Sequence, residues 1–102
     1  MKLFDLENEQ IIQDKFRIDF CKPERDQDIA TCEGPSPAKK KRKIVIHPDL
    51  LLEGKEKELM EEVIHEVTHG AFYCLDEDYV DPFAKHLTRI LWKIGFRLTE
   101  DV

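Results

Sequence analysis

The sequence predicts an α+β fold, a small sheet packed against two helices. Three observations lead there. Lys15-Phe16-Arg17-Ile18-Asp19-Phe20 alternates polar and apolar residues, the period of a half-buried strand. Ile44-Val45-Ile46 is a β-branched run ending in His47 and stopped by Pro48, which reads as a buried strand. Two later stretches place apolar residues at three- and four-residue steps, the period of a helix.

Residues 1–14 are weakly patterned and read as a frayed strand or a short helix. Residues 26–31 are polar and read as irregular chain. Glu33-Gly34-Pro35-Ser36-Pro37 breaks regular structure, so residues 33–41 form a Pro/Lys-rich loop. Residues 49–54 are a second loop. The first helix runs from about residue 55 to 74, with Met60, Val63, Ile64, Val67, Ala71 and Cys74 on one stripe. Val80, Phe83, Ala84, Leu87, Ile90, Leu91 and Ile94 form the apolar face of the second helix, and Gly95 suits its C-terminal cap. Asp81-Pro82 reads as an N-cap followed by proline at the first helical position, with Asp76 as an earlier alternative start. Phe96-Arg97-Leu98 reads as a short terminal strand.

A chain of 102 residues suits a single domain spanning 1–102. Its net charge of −6 argues against nucleic-acid binding by the whole surface, while leaving room for one basic patch. No stretch is long and apolar enough to span a membrane, and the first twenty residues lack the apolar core of a signal peptide. The three cysteines, Cys21, Cys32 and Cys74, have no framework spacing, which points to a reducing, cytoplasmic setting.

The stretch that carries chemistry is Val63-Ile64-His65-Glu66-Val67-Thr68-His69-Gly70, an H-E-x-x-H sequence inside the first helix. Histidines four apart present their rings one turn apart on the same face. Two imidazoles so placed can share one zinc ion, and Glu66 between them can take a proton from a water held there. His65, Glu66 and His69 lie on the other side of the helix from its apolar stripe, so core packing does not explain the two histidines.

A catalytic zinc site needs a third protein ligand. The candidates downstream are Asp76, Glu77, Asp78, Asp81 and His86. The chain must reverse near Cys74-Leu75-Asp76, which brings the start of the second helix beside the end of the first. Measured from Val80 at about 100° per residue, Glu77 lies about 60° away, Asp81 about 100° and His86 about 240°. Glu77 therefore sits on the inner edge of the second helix and is the favoured ligand, Asp81 comes second, and His86 points away. The same acidic cluster also complements a helix dipole without any metal.

Ile64-His65-Glu66-Val67-Thr68-His69-Gly70, Leu75-Asp76-Glu77-Asp78 and Leu91-Trp92-Lys93-Ile94-Gly95-Phe96-Arg97 together resemble small phage and bacterial minimal zincins, loosely grouped with SprT-like metallopeptidases. The likeness takes in Lys43-Ile44-Val45-Ile46-His47-Pro48-Asp49-Leu50 and covers about residues 42–97, with a thinner echo at residues 16–32. It implies a minimal zincin-like fold and a zinc metallopeptidase acting on a peptide or protein substrate. His65 and His69 would be zinc ligands, Glu66 the general base and Glu77 the third ligand. His86, where that group usually has an acidic residue, and Pro82 depart from the pattern.

Lys39-Lys40-Lys41-Arg42-Lys43 reads first as a solvated lead-in to a strand, with phosphate binding and nuclear import as alternatives. Trp92 is expected at the core edge, His47 as a capping or surface histidine, and Cys74 as a small buried residue. Tyr73, His86 and Arg97 are the candidate oxyanion donors. The rival reading is a zinc-stabilised interaction module without turnover, associated with nucleic acid through the basic run. Oligomeric state is not legible in the sequence.

Overall fold

The computed structural model describes residues 9–13, 15–23, 30–32, 42–72 and 75–97. They form an α+β arrangement of four strands and two long helices. The strands are β1 (Gln10–Gln13), β2 (Phe16–Phe20), β3 (Ala30–Cys32) and β4 (Arg42–Ile46). A 3-10 turn over Pro48–Leu51 follows, then α1 (Glu56–Ala71) and α2 (Glu77–Ile94).

The sheet order is β1-β2-β4-β3. β1 and β2 are antiparallel, β2 and β4 parallel, and β3 returns antiparallel to β4. The alternation in β2 and β4 sets the faces. Ile18 pairs with Ile44 and Phe20 with Ile46, and these side chains point toward α1. Arg17, Asp19 and Lys43 take the other face, where Asp19 Oδ1 accepts from Arg17 Nε at 3.1 Å and Asp19 Oδ2 lies 3.9 Å from Lys43 Nζ. Phe20, Ile44, Ile46, Leu50, Leu51 and Leu59 form the core, with Phe16, Ile18, Val63 and Val67 packed against it. The 3-10 turn contributes Leu50 and Leu51, and His47 caps it by accepting from the Asp49 N–H at 3.1 Å.

Of the two readings of residues 1–14, the strand holds at β1: Gln10-Ile11-Ile12-Gln13 is exposed throughout, and its ladder with β2 supplies the order. Several other expectations are corrected. Ala30 and Thr31 belong to a strand rather than irregular chain, paired with Ile46 and Val45. β4 starts at Arg42 and ends at Ile46, one residue short of His47. The first helix ends at Ala71, where the Phe72 N–H bonds to the Thr68 carbonyl at 2.8 Å. Phe96 and Arg97 form no strand. The loop at 33–41, Tyr73, Cys74 and Leu98 lie outside the described residues.

The larger correction is where α2 begins. Asp76, not Asp81, is its N-cap, accepting from the Asp78 N–H at 3.2 Å, while the Asp76 carbonyl takes the Tyr79 and Val80 N–H groups. Pro82 consequently lies inside the helix, where it cannot donate to the carbonyl four residues back. The early start gains a side-chain cap and two backbone bonds, and it turns Val80 inward, fully buried. At the other end Gly95, at φ 110°, takes the left-handed conformation. Its N–H bonds to the Trp92 carbonyl and the Phe96 N–H to the Leu91 carbonyl, the Schellman pattern.

α1 packs on the sheet with one side and on α2 with the other. Leu59, Val63 and Val67 face the sheet. The side carrying His65 and His69 is covered by α2, so the histidines lie in a helix–helix seam and not on an open face. Among the described residues, no helix is long and apolar enough to cross a membrane.

Candidate metal centre

α1 is straight-run helix across the H-E-x-x-H sequence, so the His65 and His69 rings stand one above the other. Their centroids are 4.8 Å apart with the planes inclined at 58°. The two Nε2 atoms lie 3.1 Å from each other. Glu77, the first residue of α2, brings its carboxylate to both, with Oε1 2.8 Å from His65 Nε2 and Oε2 2.8 Å from His69 Nε2. The Asp76 cap fixes the turn of α2 that carries Glu77, and the burial of Val80 fixes its rotation.

His65, His69 and Glu77 are therefore a convergent donor set, the one such group among the described residues. Two imidazole nitrogens and a carboxylate are a common ligand set for zinc. With ligands about 2.0–2.1 Å from zinc in tetrahedral geometry, donor atoms stand about 3.3 Å apart. The observed separations of 2.8–3.1 Å need only a slight opening to reach that value. Without a cation, two nitrogens held this close cannot both aim a proton into the space between them, and a Glu77 oxygen lies 2.8 Å from each.

Around this set stand three more carboxylates. Glu66 is nearly fully buried, at 7% exposed. Burial pushes its carboxyl above the ordinary range, against the pull of His65 and His69, with Glu62 and Glu77 adding to the rise. Glu62, one turn before Glu66, is raised chiefly by burial too, opposed by His65 and reinforced by Glu61, Asp81 and Glu77. Asp81 is held below its ordinary value first by its hydrogen bond from Lys85 Nζ, at 2.9 Å. Its other oxygen lies 3.8 Å from His65 Nδ1. The site is thus rich in negative charge that a divalent cation would neutralise.

The remaining candidates are placed elsewhere. Asp78 is exposed on the first turn of α2 and gives its backbone N–H to the Asp76 cap. His86 is exposed on the far side of α2, as its angular position requires. Arg97 lies beyond the opposite end of α2 from Glu77. Its guanidinium stacks 3.5 Å over the Trp92 ring and donates to the Trp92 and Phe96 carbonyls, so it is no oxyanion donor for this site. Of the basic run, Arg42 and Lys43 belong to β4, while residues 39–41 lie outside the described residues. Cys21 carries a free thiol and is half-buried, away from the donor set.

Sequence reasoning missed Glu62. It lies three residues before His65, hence on the same side of α1, and that spacing was a readable signal. No protein-family model, curated protein or solved structure matches this chain.

Proposed function

We propose that the protein is a zinc-dependent metallopeptidase of minimal zincin-like design, acting on a peptide or protein substrate in the cytoplasm. The observation that carries this reading is the convergence of His65 Nε2, His69 Nε2 and a Glu77 oxygen beside the buried Glu66. Zinc bound there would supply Lewis acidity toward a carbonyl and lower the pKa of a bound water.

The chain's own residues supply the rest. His65 and His69 give their Nε2 atoms, and Glu77 closes the set from the second helix. Were Nε2 of His65 given to a cation, its proton would sit on Nδ1, and the Asp81 carboxylate 3.8 Å away would favour that tautomer. Glu66 is the proton carrier. Burial raises its carboxyl above the ordinary range, and a nearby cation would lower it. A group balanced between those two influences can accept a proton from water and return it to a leaving amine.

Glu66→Gln keeps the shape and removes the base. The expected result is unchanged zinc content and a peptide-cleavage rate about 10²–10⁴ lower. An equal rate on a peptide library would remove Glu66 from that role.

The second reading is a zinc-stabilised interaction module without turnover. It draws on the same donor set, which joins two helices as a structural metal would. Zinc-dependent folding with no cleavage of any peptide by the wild type would favour it. Contact with nucleic acid through the basic run is the weaker proposal, because Lys43 is engaged by Asp19. Loss of salt-dependent binding when residues 39–43 are neutralised is its test.

A further inference from the structure

α2 presents more apolar surface than α1 covers. With Val80 as zero and about 100° per residue, Ala84, Leu87 and Leu91 fall within about 40° of it. That sector faces α1, and Val80 and Ala84 are fully buried. Tyr79, Phe83, Ile90 and Ile94 fall between about 260° and 320°, a second stripe beside the first. The sequence pattern merges the two into one face, but the structure separates them. Tyr79 is 69% exposed, Phe83 51%, Ile90 55% and Ile94 68%. Large apolar residues aligned along a helix in this way are not the scattered exposure common on protein surfaces.

We propose that this stripe pairs with the same stripe of a second copy of the chain, antiparallel, about a two-fold axis. The spacing is self-complementary. Tyr79 and Ile94 share a midpoint with Phe83 and Ile90, between His86 and Leu87. An antiparallel pair centred there sets Tyr79 against Ile94 and Phe83 against Ile90, with His86 near the axis. Every large exposed side chain of the stripe then meets another, as an isologous interface demands.

Charge selects the same orientation. The N-terminal end of α2 carries the Asp76 cap and Asp78, both exposed, while Lys93 is in the last turn. Arg97 follows just beyond. Antiparallel pairing brings each acidic end beside the partner's basic end and opposes the helix dipoles. Parallel pairing would put like charges together. The donor set lies on the opposite side of α2, because Glu77 sits at about 60° and the stripe is centred near 290°. The pairing leaves His65, His69 and Glu77 uncovered and does not depend on any metal there. One helical stripe is a small interface, so the pairing is expected in the micromolar range.

Sedimentation equilibrium from micromolar to near-millimolar concentration tests this. The wild type is expected to move from the mass of one chain to the mass of two. Phe83→Glu or Ile90→Glu is expected to hold it at one, with unchanged circular dichroism because both positions are exposed in the monomer. Orientation is read from two double variants. Phe83→Glu with Ile90→Lys faces opposite charges only in the antiparallel register, so it should dimerise more strongly than Phe83→Glu with Ile90→Glu. A wild type of single-chain mass at every concentration would overturn the proposal and leave the stripe for a different polypeptide. A dimer undiminished by Phe83→Glu would overturn it too. Equal behaviour of the two double variants would overturn the antiparallel register.

Discussion

Against the sheet, α1 sets Leu59, Val63 and Val67 on Phe20, Ile44 and Ile46. Against α2, the same helix sets His65 and His69 beside Glu77, with Glu62 and Asp81 nearby. The first contact is apolar and needs nothing added. The second is held by Val80 and Ala84, surrounded by carboxylates, and contains the buried Thr88 hydroxyl without a hydrogen-bond partner. One helix thus joins a side that packs the core to a side that gathers the donor set. A cation in the seam would neutralise charge and tie α2 to α1.

Breaking the sheet side should therefore cost most. Ile46 is fully buried, and Ile46→Ala should lose about 2–5 kcal/mol in urea unfolding. On the α2 side Asp76→Ala should lose about 0.5–2 kcal/mol for the cap. Asp81→Ala should lose less, since Asp81 does not cap the helix and its pairing with Lys85 is exposed. Thermal melts of the two variants, compared in metal-free buffer, would check that order.

Thr88→Val should go the other way. It replaces an unpartnered hydroxyl at 1% exposure by a methyl group of similar shape. A gain of about 1 kcal/mol is expected, and a loss would show that the hydroxyl has a partner in solution.

The smallest effect concerns pH. Glu62 has its carboxyl raised by burial, so ionising it opposes folding. Its favourable contribution is complete below the unfolded value of 4.5 and is lost as pH rises through the higher folded value. Glu62→Gln should then stabilise the metal-free protein at neutral pH, with the difference shrinking as pH falls toward 4.5. Urea unfolding at the two pH values would show it, and a pH-independent difference would contradict it.

Period and spacing made much of this legible. β2 and β4 alternate or run apolar, α1 repeats at helical steps, and two histidines four apart in a helix must share a side. Glu77 was reachable from its angle to Val80. What stayed open or was missed shares a cause, which is dependence on neighbours. Gln10–Gln13, left between strand and helix, and Ala30–Cys32, read as irregular through Thr31, have little pattern of their own and are ordered by ladders to β2 and β4. Asp81-Pro82 is a good local helix start, but Asp76 wins because starting there also buries Val80. The wide apolar sector of α2 does not reveal that α1 covers only half of it.

The central claim is that His65, His69 and Glu77 form one zinc site across the seam. Calorimetric zinc titration, paired with thermal melts of the same samples, tests it most directly. The expected result is one zinc per chain and a higher melting temperature, worth about 2.7 kcal/mol when free zinc is a hundredfold over Kd. The His65→Ala, His69→Ala double variant should lose both signals, and Glu77→Ala should weaken binding more than Asp81→Ala or His86→Ala. Wild type that takes up no zinc, or full binding retained by the double variant, would contradict the claim.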